Sequence, residues 1–380
     1  MNQENRTESE MLAQLKAGSI SLSPVTLTMR EAPERLGDGD TRYDAIVDAA
    51  WDDDEVTFAI ECKRLGTPKE FAGAVMQIQS WSLPDGTFPM LLLPYLKPEQ
   101  LDELDRLGIS GVDLCGNGVI TIPGRLKVFR TGQPNRFKSS ATIKNVYRGK
   151  TSLVARVFAE QISFPSLQSL REAIIERDLL SATGLTKPIG LSTVSKALKT
   201  LEQDLIIARE DDGTIRLLQR GLLLDKLQRN DEPLEAQKTI KLNVKTDDLR
   251  EWVSFYTNAS GALAVVSGLS STSKYAVMQR AEIYKLYTPD PIALAKRMTG
   301  RGGASELPPN ENPAKETDRF ENVVLIKTKR PIDYFDVPVD EPLRWASPLQ
   351  TWLELMRGDK RDRETADQVR ELLLKGGDVE

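Results

Sequence analysis

Asp44, Glu61 and Lys63 are the residues of this chain whose types and spacing could do chemistry. They lie in the run YDAIVDAAWDDDEVTFAIECKR. Side chains alternate faces along a strand. Positions 43, 45, 47, 49 and 51 are Tyr, Ala, Val, Ala and Trp, and positions 56, 58, 60 and 62 are Val, Phe, Ile and Cys. Two strands around the polar turn Asp52–Glu55 would turn these apolar sets to a core. Asp44, Ile46 and Asp48 then share the other face with Ala59, Glu61 and Lys63. With the turn centred between Asp53 and Asp54, residue 44 lies opposite 63 and residue 46 opposite 61. Asp44 becomes a direct or diagonal neighbour of Glu61 and Lys63. Asp48 falls roughly 13 Å nearer the turn and is the poorer partner.

Two carboxylates from different strands can hold Mg²⁺ or Mn²⁺, which keeps waters and bridges to phosphate. Such a metal makes its water more acidic, and a lysine beside it steadies developing charge. The alternative is a solvated hairpin face with a cross-strand Glu–Lys pair, worth a fraction of a kcal/mol.

The element after Lys63 bears on that choice. Pro68–Trp81 is helix-compatible, with Pro at the first turn and apolar Phe71, Ala74, Val75 and Ile78 at spacings of three and four. Gln77 and Trp81 are four apart and share a helix face. Asp44, then Glu61-Cys62-Lys63, then Gln77-x-x-x-Trp81 resembles the PD-(D/E)XK nuclease superfamily. It looks like the RecB-type variant, with Trp in place of its Tyr. The resemblance covers about the first third of the chain. It implies a metal site from Asp44, Glu61 and the Cys62 carbonyl, with Lys63 catalytic and Gln77 supporting.

Composition narrows the function classes. The chain has 380 residues, of which 40% are hydrophobic, enough for two or three packed domains. No run is long enough to span a membrane. The polar, acidic start is unlike a secretory signal, and two cysteines, Cys62 and Cys115, suit a reducing cytoplasm. There is no histidine. Ser-His triads, Cys-His dyads, HNH nucleases and His-ligated zinc are therefore excluded.

Charge is uneven. Residues 114–159 lack Asp and Glu but carry Arg125, Lys127, Arg130, Arg136, Lys138, Lys144, Arg148, Lys150 and Arg156. With the whole chain at −5, the remainder stands at −14. Such a stripe reads either as a phosphate-binding footprint or as a solvated basic linker.

The expected fold class is a multidomain α/β protein. Residues 1–137 form a restriction-endonuclease-like α/β/α domain. It has a helix near Glu8–Ala17, a strand at 90–96, a helix over Pro98–Leu107, a turn at Gly116-Asn117-Gly118 and a strand over Arg125–Phe129. Residues 138–150 form a basic linker. Residues 151–230 read as a winged helix-turn-helix, with helices Thr151–Ile162 and Leu167–Leu180. Its recognition helix is LSTVSKALKTLEQD, N-capped by Ser192, and its wing turns at Asp212-Gly213. The recognition helix offers Thr193, Ser195, Lys196 and Lys199 to DNA; Arg209 and Arg216 flank the wing, and Lys138, Lys144 and Arg148 precede it. A winged helix used only for protein contacts is the alternative. Residues 240–380 form a C-terminal α/β domain with strands at 282–288 and 322–328 and a loop over 300–317. A capping-box helix start follows at Ser347-Pro348-Leu349-Gln350, and a charged helix ends the chain over Asp359–Lys375.

A second resemblance rests on Arg220-Gly-Leu-Leu-Leu-Asp-Lys-Leu227, SGLSSTSKYA and WASPLQTWLELMRGDKRDRETADQVRELLL. These look like the AbiEi family of bacterial type IV antitoxins and transcriptional regulators. Asp113-Leu-Cys-Gly-Asn117 also resembles a nuclease-like segment that precedes the winged helix in some relatives. The resemblance implies operator binding by the winged helix and partner contact or regulation by the C-terminal domain.

Three functions follow in order. The first is a DNA-binding regulator or antitoxin whose nuclease-like domain grips DNA, and the second is an active Mg²⁺-dependent endonuclease of defence or restriction type. The third is a protein-binding scaffold. The expected partners are double-stranded DNA, a cognate toxin or other protein at the C-terminal domain, and a second copy of the chain, with no membrane.

Overall fold

The computed structural model describes residues 7–18, 20, 22–30, 43–137, 145–259, 263–277, 283–301, 313–328, 330–337 and 343–375. Among these it is an α/β protein with a large mixed sheet. It divides into two compact units, Met1–Lys144 and Asn145–Glu380.

The first unit runs α1 (Glu8–Lys16), β1 (Thr26–Met29), β2 (Ala45–Trp51), β3 (Asp54–Cys62), α2 (Pro68–Gln79), β4 (Thr87–Leu93), α3 (Pro98–Leu107), β5 (Ser110–Asp113), β6 (Gly118–Ile122) and β7 (Leu126–Arg130). Its seven strands lie side by side in sequence order. β3, β4 and β5 are mutually parallel, and the other neighbours are antiparallel. Thr7 and Glu10 form a capping box that starts α1. Thr67 caps α2, with Pro68 in its first turn.

Both sheet faces are covered. Ala45, Val47, Ala49, Phe58, Ile60 and Cys62 pack with Met11 and Leu15 of α1. Phe71, Ala74 and Ile78 of α2 and Leu101 and Leu104 of α3 pack on Leu91 and Leu93 of the opposite face. The face carrying Ile46, Ala59 and Glu61 is thus buried rather than solvated.

The hairpin register differs from expectation by two residues. Trp51 pairs with Asp54, so the turn is the two-residue Asp52-Asp53, with Asp52 at φ 48°. A two-residue hairpin turn favours such left-handed residues, for which Asp is among the more tolerant side chains. An even slip keeps every side chain on its expected face and brings Asp44 level with Glu61 instead of Lys63. Tyr43 precedes β2 and does not join the core set; it meets Trp81 edge-on with ring centroids 5.9 Å apart. In the β5–β6 turn, Gly116 has φ 97°, and a Cβ on Gly118 would lie 2.9 Å from the Gly111 carbonyl oxygen.

The second unit begins with α4 (Ser152–Glu160), β8 (Ser163–Phe164), α5 (Leu167–Arg177), α6 (Leu179–Ala182), α7 (Leu191–Gln203), β9 (Ile207–Arg209), β10 (Ile215–Leu217) and α8 (Arg220–Arg229). β10 lies between β8 and β9, antiparallel to both. The expected helix 167–180 breaks at Asp178, whose side chain accepts from Ser181 N at 3.3 Å and caps α6. Gly190, not Ser192, occupies the N-cap of α7. The helix starts two residues early because Gly190 already has the extended cap conformation. α4 is not amphipathic in place: Leu153 through Ala159 are all buried, Arg156 included.

The chain continues through β11 (Lys238–Asn243), α9 (Leu249–Ala259), β12 (Val265–Val266), α10 (Thr272–Tyr275), β13 (Tyr284–Tyr287), α11 (Pro291–Met298), β14 (Lys315–Glu316), β15 (Val323–Lys327), α12 (Pro348–Met356) and α13 (Lys360–Lys375). Its sheet order is β12-β13-β15-β11-β14. Most of the expected 300–317 loop, residues 302–312, lies outside the described residues. Ser347 Oγ accepts from Gln350 N at 3.1 Å and starts α12. The return half of the capping box is replaced, because the Gln350 side chain goes to a buried network. It accepts from Arg156 at 3.0 Å and donates to Glu354 at 2.9 Å. Arg156 of α4 is thereby tied to α12 inside one unit.

Candidate functional site

The hairpin and α2 bring the predicted residues together. Asp44 accepts from Cys62 N through Oδ2 at 2.8 Å, and its own N–H donates to the Ile60 carbonyl at 2.9 Å. Glu61 is 1% exposed. Lys63 Nζ lies 2.5 Å from Glu61 Oε1, and Gln77 Nε2 donates to Glu61 Oε2 at 2.7 Å. Lys63 Nζ also reaches Gln77 Oε1 at 3.5 Å. Both Glu61 oxygens are held in place, one by a strand-end lysine and the other by a helix glutamine.

Electrostatics follow from that packing. Burial pushes the Glu61 carboxyl above its usual value against the pull of the Lys63 hydrogen bond, and the Asp44 and Glu8 charges push it further up. Burial opposes the Lys63 cation, but the Glu61 hydrogen bond and the surrounding carboxylates raise its pKa overall. Lys63 therefore stays protonated. Burial, with the Asp44 charge, drives the Cys62 thiol far up, so Cys62 offers an ion its backbone carbonyl and not a thiolate.

Glu8, in the first turn of α1, was given no role by the sequence. Its negative charge reaches Glu61, Cys62 and Lys63, and with Asp44 it lines a groove of about 400 Å³. The capping box locates its helix, but no local pattern reports that the helix end faces the hairpin.

Asp48 has separate work. Arg30 holds it with two hydrogen bonds of 2.8 Å, and Thr57 donates to it at 2.9 Å. The Arg30 bond keeps its carboxyl below the usual range. Asp113, in the Asp-Leu-Cys-Gly-Asn segment, is fully buried. It accepts from Leu96 N, Cys115 N, Asn117 N and the Asn117 amide at 2.7–3.0 Å, so its oxygens are consumed in fastening loops.

The oxygen chemistry fits a hard cation. Among the described residues no three His, Cys, Asp or Glu side chains form a ready cage. Mg²⁺ needs only one or two carboxylates because it keeps several waters. The mutually repelling Asp44 and Glu61, with Asp44 Oδ1 directed to no partner among the described residues, suit such an ion.

The basic run does not form a free stripe. Arg125 pairs with Asp54 at 2.5 Å, Lys127 with Asp105 at 2.7 Å, and Arg148 with Glu232. Arg136 donates to the Leu114 carbonyl, Lys150 to that of Lys187, and Arg156 is buried. The stretch lacks acids in sequence but receives them in space. Lys138 and Lys144 lie outside the described residues.

On α7, Val194, Ala197, Leu198 and Leu201 face inward, Lys196 and Lys199 are exposed, and Thr193 and Ser195 are half-buried. Neither lysine side chain meets an acid among the described residues. Arg209 and Arg216 instead pair with Glu202 at 3.7 Å and Glu210 at 2.5 Å. The hairpin tip itself is Glu210-Asp211-Asp212.

Comparison of the chain with family models, curated proteins and solved structures finds no match in any of the three. Among the described residues no helix is long and apolar enough to cross a membrane.

Proposed function

We propose that the first unit is a PD-(D/E)XK-type, Mg²⁺-dependent phosphodiester hydrolase acting on double-stranded DNA. The observation that carries this reading is the convergence of exposed Asp44, half-buried Lys63 and Gln77 of α2 around the buried Glu61 carboxylate at the end of the β2–β3 hairpin. Asp44, Glu61 and the Cys62 carbonyl would hold the ion, and Mn²⁺ would substitute. A bound ion would supply an acidified water and charge neutralisation at the phosphate. Lys63, kept cationic by its carboxylate neighbours, acts on developing negative charge and not as a base. Gln77 fixes the orientation of Glu61.

Supercoiled plasmid incubated with the full chain and Mg²⁺ or Mn²⁺ tests this reading. Nicking by wild type, lost in Glu61→Ala and in Lys63→Ala, supports it. No nicking across a range of DNAs, with either metal, would sink it.

One observation favours a second reading. Lys196 and Lys199 lie unpaired on the outer face of α7, where a winged helix-turn-helix would present base- and phosphate-contacting groups. In that reading the protein is a DNA-binding regulator, similar to the AbiEi antitoxins, and the first unit grips DNA without cutting it. Tight salt-sensitive binding to the protein's own upstream DNA with no metal-dependent nicking selects it.

A further inference from the structure

We propose that the open edge of β11 takes an acidic, extended segment of another protein as an added strand. The edge is exposed because its neighbour is too short. β15 pairs with Lys238 through Leu242 on one side of β11. On the other side β14 pairs only with Leu242 and Asn243, and Thr317 N adds one bond to the Lys241 carbonyl at 3.1 Å. Backbone groups two residues apart point to the same side of a strand. The Thr239 N–H and C=O therefore point the same way as the Lys241 carbonyl, and no strand lies beside them among the described residues. Unpaired main-chain groups of this kind are what an extended peptide completes.

The space beside the edge is shaped for side chains. A groove of about 710 Å³ runs between β11 and α11, lined by Thr239, Ile240, Ile292, Ala295 and Lys296 among others. Ile292 is 44% exposed there. Alternate residues of an added strand would rest on Ile292 and Ala295.

Charge selects the occupant. Lys238, Lys241, Lys296 and Arg301 line the groove against Glu316 and Asp318. Lys241 is paired with Glu321 at 2.8 Å and Arg301 with Glu316 at 3.2 Å. Lys238 and Lys296 are exposed and have no acidic partner among the described residues. Edge lysines repel a second basic edge, so two copies of β11 would place Lys238 and Lys241 against their own kind. An acidic strand meets no such penalty.

The full chain is titrated with a fluorescent peptide of alternating glutamate and valine, read by anisotropy and by amide exchange at Thr239. A lysine–valine peptide and a backbone N-methylated glutamate–valine peptide serve as controls. The acidic peptide should bind and slow exchange at Thr239, and both controls should lose at least about tenfold in affinity. Lys296→Glu, an exposed change whose fold is checked by circular dichroism, should weaken the acidic peptide by about tenfold. Equal binding of the N-methylated peptide, or no binding of the acidic one at millimolar concentration, overturns the proposal. Self-association of the protein alone that is lost in Lys238→Glu also overturns it, in favour of a second copy as occupant.

Discussion

Gln77 on α2 donates to Glu61 on β3 at 2.7 Å, reaching across from the helix to fix a carboxylate that is almost wholly buried. The bond sets the Glu61 plane, while Lys63 holds the other oxygen at 2.5 Å. Gln77 is itself exposed, so its removal disturbs little packing. Gln77→Ala should leave DNA affinity unchanged and lower the metal-dependent nicking rate by about 10–100-fold, as loss of an orienting partner does. Gln77→Glu should be worse, because it sets a third negative charge beside Glu61. Metal titrations that give wild-type rates in Gln77→Ala at every concentration would remove Gln77 from the site.

Asp44 and Asp48 lie on the same strand face but have different partners. Asp48 is spent on Arg30 and Thr57. Asp48→Asn should therefore leave nicking unchanged and cost about 1 kcal/mol or less, since Arg30 is partly exposed. The Asp48 carboxyl is held below its unfolded value, so its contribution is present above about pH 4 and fades as pH falls through the folded value. Asp44→Asn should do the reverse and abolish nicking. Equal loss in both variants, measured on plasmid at pH 7, would mean that the hairpin face acts as a whole.

Period-two alternation made the site legible, because Asp44, Glu61 and Lys63 stand out against apolar neighbours. The pairing offset was not legible: it hinges on which two of the four residues Asp52–Glu55 form the turn, and only Asp52 takes a left-handed φ. Through-space relations were hidden as well. Nothing near Glu8 reports that α1 meets the hairpin. The acid-free run 114–159 suggested a stripe, yet Asp54, Asp105 and Glu232 arrive from distant sequence to neutralise it. Arg156 read as a surface cation because one residue carries no record of what packs over it. α4 is enclosed by the rest of its unit, and Arg156 ends against Gln350.

The exposed lysines of α7 and the arginines of the adjacent hairpin should behave differently. Lys196→Ala/Lys199→Ala removes two unpaired cations and should lower the salt slope of duplex DNA binding by about two. Arg209→Ala/Arg216→Ala removes cations already paired with Glu202 and Glu210, and should change the slope by less than one. Filter binding from low to moderate salt reads both. A lysine variant that keeps the wild-type slope would remove α7 as the DNA-contacting face.

Glu160 at the end of α4 and Asp336 are neighbouring carboxyls held above their usual range, mainly by burial. Burial first, then the Asp336 charge, pushes Glu160 up to about 8, although Arg177 and Arg220 pull the other way. The folded state therefore binds the Glu160 proton more tightly than the unfolded chain does. Stability from it is complete below about pH 4.5 and is lost as pH rises through about 8. Asp333, pushed up to about 6 mainly by burial, contributes the same sign but finishes earlier. A residual fall in stability between about pH 7 and 8.5 should thus belong to Glu160 and Asp336, at no more than about 1.4 kcal/mol per pH unit for one proton. Glu160→Gln keeps the size of the side chain and removes its titrating proton. Thermal unfolding of that variant should be nearly flat over the same interval and should exceed wild type at the alkaline end. An unchanged slope in Glu160→Gln would assign the fall to other groups.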